Sequence, residues 1–121
     1  MSVFVDTGAW YASMVPSDPQ HQRVLEFLRS NPLPLVTSEF VADETLTLMR
    51  ARGENARAQT LGRQLFDLDV YNLFEVNRDR VRRAWQLFRD QPDRRWSFTD
   101  CTSKVLMDDL HIHKALTFDE L

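Results

Sequence analysis

One cysteine, Cys101, is all the sequence holds, which excludes an internal disulfide framework and a thiolate zinc site and fits a reducing cytoplasm. On a helix Cys101 reads as a small core residue. Histidine is nearly as scarce. His21 shares its helical turn with no other ligand-type side chain, so it reads as a helix-face residue. No apolar run approaches the length of a membrane span, and the N-terminus lacks the basic-then-apolar layout of a signal peptide. Repeats, low-complexity tracts and internal linkers are all missing. What remains is an ordinary globular composition, 43% hydrophobic and 27% charged over 121 residues, read as one domain spanning 1–121 with a real core.

The net charge of −3 argues at first against nucleic acid, but its distribution does not. Seven of the thirteen arginines (Arg78, Arg80, Arg82, Arg83, Arg89, Arg94, Arg95) crowd into residues 78–95 with only three aspartates. Such a run is either a solvated helix face or a phosphate-binding surface, and Arg82 and Arg83 are the candidates for phosphate contact. Lys104 can contact phosphate or pair with Asp100 or Asp108; plain surface is its simplest reading.

Strand and helix signals alternate along the chain. Val3-Phe4-Val5 reads as a buried strand, closed by Asp6-Thr7-Gly8 and followed by a short helix from about Ala9 to Met14. Pro16 and Pro19 break the chain before a helix with His21, Val24, Leu25 and Leu28 on its buried stripe. A second strand, Leu35-Val36-Thr37, leads to Ser38, placed to cap a third helix over 39–52 that Gly53 stops. A fourth helix aligns Ala58, Leu61 and Leu65. The third strand is expected over Val70 to Val76, and Asn77 caps a fifth helix whose core stripe is Val81, Ala84, Trp85 and Phe88. After a loop at 91–98, Ser97 or Thr99 caps a sixth helix, and His113 to Phe118 gives a fourth strand. Alternation without a hairpin signal indicates an α/β domain with a parallel sheet.

Ligand sites in such sheets lie beyond the carboxyl ends of the strands. Asp6 follows the first strand and Asp119 the fourth. On the third helix, Asp43 shares a polar stripe with Glu39, Thr47 and Arg50, whereas Glu44 shares its face with Phe40, Val41 and Leu48 and is the expected inward acid. Asp100, in the first turn of the sixth helix, lies on the stripe of Ser103, Leu106, Met107 and Leu110, also inward. Each has a bland alternative: Asp6 a helix cap, Glu44 an arginine partner, Asp100 a first-turn residue, Asp119 a turn former. Four carboxylates gathered at one edge need protons or cations to coexist. Hard oxygen donors without His or Cys suit Mg²⁺ or Mn²⁺, which activate water for phosphodiester hydrolysis.

Val3-Phe4-Val5-Asp6-Thr7, Val41-Ala42-Asp43-Glu44-Thr45, Ser97-Phe98-Thr99-Asp100-Cys101-Thr102 and Leu116-Thr117-Phe118-Asp119-Glu120 together resemble PIN-domain ribonucleases. Their order and spacing are most similar to the toxin half of VapBC toxin–antitoxin pairs. The resemblance runs through the whole chain. It implies a PIN-like three-layer fold, with a parallel sheet of four or five strands flanked by helices, and Mg²⁺- or Mn²⁺-dependent RNA cleavage. Asp6, Glu44, Asp100 and Asp119 match the family's acidic cluster, and Thr7 and Thr117 match positions whose hydroxyls line such sites. It also implies a homodimer and a cognate antitoxin protein, with no membrane partner. The family usually continues past its last acid with a short helix and strand, whereas this sequence stops at Leu121, as expected of a chain shortened at its C-terminus. The expected function is therefore a cytoplasmic endoribonuclease. Two rivals belong to other classes: a catalytically weak PIN-like interaction module, and an acid-edge phosphatase acting on small phosphoesters.

Overall fold

The computed structural model describes residues 1–118, so Asp119 lies outside the described residues. The chain runs β1 (Val3–Val5), α1 (Thr7–Met14), α2 (His21–Ser30), β2 (Leu35–Ser38), α3 (Glu39–Ala51), α4 (Asn55–Gly62), β3 (Asn72–Phe74), α5 (Arg78–Asp90), α6 (Phe98–Asp109) and β4 (Lys114–Leu116). The described strands form one sheet in the order β3-β2-β1-β4, with every pairing parallel. This is the expected α/β arrangement of parallel strands flanked by helices. The chain steps from β1 to β2 to β3 in one direction and then crosses back to place β4 on the other side of β1. The order therefore switches between β1 and β4, where an open parallel sheet leaves a crevice at its carboxyl edge.

Local chemistry sets most boundaries. Ser38 Oγ accepts from Val41 N at 3.1 Å and Asn77 Oδ1 from Arg80 N at 2.9 Å, the two caps expected for α3 and α5. Gly53, at φ +78°, turns the chain out of α3. His21 Nδ1 meets Ala12 O at 2.6 Å and so ties α2 to α1. Phe4, Val5 and Val36 of the sheet pack with Val41, Met49, Leu61, Leu65 and Leu106 in the main core. Leu65 remains buried although α4 gives way after Gly62 to a π-helical turn, Arg63–Asp67.

Three expectations are corrected. The third strand is shorter than Val70 to Val76 because both ends are committed elsewhere. Val70 N donates to Gln64 O at 2.9 Å, closing the π-turn, and Val76 N donates to the Glu39 carboxylate at 2.9 Å. The fourth strand is likewise confined to Lys114–Leu116. Trp85 and Phe88 are not core: they are 51% and 42% exposed. The face of α5 that meets α6 is set by fully buried Ala84, with Leu87 beside it against Cys101 and Val105, and one residue further on Trp85 rotates out of that contact.

The same helix pair is held by an ion-pair cluster. Asp109 accepts from Arg83 at 2.8 and 2.6 Å and from Arg80 Nε at 2.9 Å, while Arg83 also bonds Asp79 at 2.9 Å. The Arg83 hydrogen bond first, and that of Arg80 next, hold the Asp109 carboxyl well below the usual carboxylate range. A depressed folded pKa contributes stability that is complete above the unfolded value of about 3.9 and is lost as pH falls below it. Asp109→Asn should therefore melt earlier than wild type at neutral pH, with the gap closing on acidification. A gap that persists unchanged into acid would mean that the ionised pair does not stabilise the α5–α6 contact.

Candidate active site

Asp6 stands at the switch point. Its backbone N–H donates to Leu116 O at 3.1 Å, extending the β1–β4 ladder by one step, and its side chain is 3% exposed. It precedes α1 and its carbonyl accepts from Trp10 N at 3.0 Å, but its carboxylate makes no capping bond. The bland cap reading thus falls to the backbone alone. Instead Oδ2 accepts from Thr117 Oγ1 at 3.0 Å, a contact that joins the ends of β1 and β4. Beside it, Thr7 Oγ1 is buried with no hydrogen-bond partner among the described residues. A buried hydroxyl left unpaired is rare enough to need an explanation, and a ligand at this edge supplies one.

The edge is supported from beneath by residues with no signal in the sequence pattern. Thr37 Oγ1 donates to Val5 O at 3.0 Å and accepts from Trp10 Nε1 at 3.2 Å, which fixes β1 against β2 and α1 one residue before Asp6. Trp10 in turn meets Tyr71 edge-on at 4.9 Å. Burial pushes the Tyr71 hydroxyl pKa up, so it remains a protonated group.

Glu44 and Asp100 share a cleft of about 540 Å³ with Asp93, Arg94, Arg95, Trp96 and Ser97. Asp43 does not line it, which keeps the distinction drawn between the two neighbours. Neither acid points inward as expected: Glu44 is exposed and Asp100 half-buried. Asp100 Oδ2 accepts from Ser97 N at 2.9 Å while Ser97 Oγ accepts from Asp100 N at 3.0 Å. This reciprocal capping box turns the carboxylate back over the helix start, away from the apolar stripe. Asp93 was readable only as loop, and Arg94 and Arg95 only as part of the arginine run, because no periodicity marks which loop side chains face a site.

The structure thus brings Asp6 to Thr117 and Glu44 to Asp100, and among the described residues no three of His, Cys, Asp and Glu lie close enough to hold an ion. Asp119 falls outside the described residues. Of the cationic candidates, Arg83 is taken up by Asp109 and Asp79, Lys104 pairs with Asp108 at 3.4 Å on the surface, and Arg82 is exposed. Burial, and secondarily Asp100, push the Cys101 thiol up, so it supplies no thiolate. The donors on offer are carboxylate and hydroxyl oxygens, one of them a buried hydroxyl with no partner among the described residues. They fit a hard divalent cation.

A parallel sheet presenting the buried Asp6 carboxylate and the Thr7 and Thr117 hydroxyls at its switch point defines an α/β protein with a polar carboxyl edge. The chain belongs to the PIN domain family, which it matches over residues 3–120. It is 31% identical over 118 residues to the 23S rRNA-specific endonuclease VapC20 of Mycobacterium tuberculosis (strain CDC 1551 / Oshkosh), covering 97% of this chain and 88% of that protein. VapC20 of strain ATCC 25618 / H37Rv matches with the same identity and coverage. The crystal structure of Mycobacterium tuberculosis VapC20, a sarcin–ricin loop cleaving toxin, superposes with a TM-score of 0.88 at 30% identity, covering 97% of this chain and 89% of that one.

Proposed function

We propose that this chain is a divalent-metal-dependent endoribonuclease, the toxin of a toxin–antitoxin pair, acting in the cytoplasm as a homodimer held in check by a cognate antitoxin. The observation that carries the reading is the buried Asp6 carboxylate beside a Thr7 hydroxyl with no partner among the described residues, at the switch point of a PIN-family sheet. Asp6, Glu44, Asp100 and Asp119 would hold Mg²⁺ or Mn²⁺. When bound, such an ion supplies an activated water and offsets the charge developing on the scissile phosphate. The chain's own contribution is placement. Thr117 orients Asp6 by donating to one of its oxygens, the capping box fixes Asp100, and Thr7 offers a hydroxyl to the same edge. Arg82 and Lys104 are the weaker candidates for phosphate contact, Arg83 being engaged within the fold.

The relatives' name supplies the first substrate to try, 23S ribosomal RNA. Cleavage is expected with Mn²⁺ or Mg²⁺ and not with chelator. Within that assay Glu44→Gln should cripple turnover and Asp43→Asn should leave it nearly unchanged, since only Glu44 lines the cleft. A more damaging Asp43→Asn would reverse the assignment. RNA left intact under every divalent condition would return the chain to the interaction-module reading.

A further inference from the structure

Outside the acid-lined cleft, the surface of α5 and the loop after it carries aromatic rings that the fold leaves uncovered. Trp85 is 51% and Phe88 42% exposed, and their rings stack at 6.2 Å with 25° between planes. Phe88 meets Phe98 edge-on at 6.1 Å, and Phe98 reaches Phe40 of α3 at 6.2 Å. A groove of about 350 Å³ runs between Trp85, Phe88, Arg89, Pro92, Arg94 and Trp96. The Arg94 guanidinium lies over the Trp96 ring at 5.3 Å. Arg94 and Trp96 also line the Glu44–Asp100 cleft, so groove and cleft adjoin across a shared wall.

We propose that this groove is a stacking platform for the single-stranded part of an RNA whose backbone continues into the cleft. The ligand class rests on the ribonuclease reading above; the platform rests on its own observations. Every nucleobase has a face that stacks on an aromatic ring or a guanidinium plane, and its phosphates need cations nearby. The groove offers both, with Trp85 and Phe88 as the rings and Arg89 and Arg94 as the charge in its wall; the exposed Arg82 and Arg95 flank these in sequence. Among the described residues Arg89 pairs with Asp90 at 3.1 Å, and both are well exposed, a pairing that phosphate can displace at little cost. A second copy of this chain fits less well. A two-fold interface built on this patch would gather the arginines of both copies in one place, and like charge opposes that.

The test is binding of a single-stranded RNA of about ten nucleotides, carried out in chelator so that affinity is read without turnover. Wild type should bind the intact oligonucleotide about tenfold more tightly than an abasic one of the same length. Trp85→Ala should lose about the same factor on intact RNA and nothing further on abasic RNA, and Trp85→Phe should recover most of it. Arg89→Gln and Arg94→Gln should each flatten the salt dependence by about one unit of slope. Equal binding of intact and abasic RNA by wild type would overturn the platform, and so would a Trp85→Ala protein that binds like wild type. A Trp85→Ala change that dissociates an oligomer while leaving RNA affinity per chain intact would assign the face to self-association instead. Loss of Mn²⁺-dependent cleavage would refute the nuclease reading alone, because none of these affinities depends on it.

Discussion

Asp6→Asn is expected to lower divalent-dependent RNA cleavage by at least about a hundredfold, because a catalytic ion supplies several kcal/mol of transition-state stabilisation and each 1.36 kcal/mol is tenfold in rate. The substitution keeps shape and hydrogen bonding while removing charge. An asparagine carbonyl oxygen still accepts from Thr117, whose hydroxyl sits 3.0 Å from Oδ2, so the β1–β4 edge should hold. Asp100→Asn tests the other acid in the same way. Its amide oxygen can take the Ser97 N–H that the carboxylate accepts at 2.9 Å, which preserves the capping box. Single-turnover cleavage with Mn²⁺ is the measurement, with melting curves to show that both variants fold. Wild-type rates in both would remove the carboxylate edge from the chemistry.

What could be read in the sequence was governed by distance along the chain. Ser38, Asn77 and Ser97 each announce a helix start through a side chain that bonds its own backbone three residues on, and all three do so. Val3-Phe4-Val5 followed by an acid is equally local. Trp85 was misplaced because its stripe is apolar by spacing, whereas the seat of α5 on α6 is set by small Ala84 and by two arginines reaching Asp109, more than twenty residues away in sequence. Arg83 could not be separated from Arg82 for the same reason. In the candidate site, the acid positions were visible through their order and family likeness. The contact between Asp6 and Thr117 spans 111 residues, and only the sheet topology brings them together. Glu44 and Asp100 meet at a cleft whose remaining wall is a loop without periodicity. The inward direction expected for both acids came from ideal helix faces, and the capping box shows how one backbone N–H redirects a carboxylate.

Thr7→Val should have opposite effects on apo stability and on the gain from metal. In chelator, the buried Thr7 hydroxyl has no partner among the described residues, and such a group costs about 1–3 kcal/mol. Valine keeps the branched shape and removes the unmet hydroxyl, so the apo variant should melt at or above the wild-type temperature. Metal binding should narrow or offset that difference. An ion that binds only the folded chain stabilises it by about 2.7 kcal/mol at a hundredfold excess over its dissociation constant. For a domain of this size that is a rise of about 10 °C in melting temperature. Asp6→Asn should lose most of that gain, having lost a charged ligand from the edge. Thr7→Val should lose a smaller part, because a neutral hydroxyl contributes less to a hard cation than a carboxylate does. Melting curves of the three proteins in chelator and across a Mn²⁺ titration make the comparison, and no catalytic readout is needed. An equal Mn²⁺-induced rise in all three would place the bound ion away from Asp6 and Thr7, and a Thr7→Val protein much less stable than wild type in chelator would show that the hydroxyl is satisfied within the apo fold.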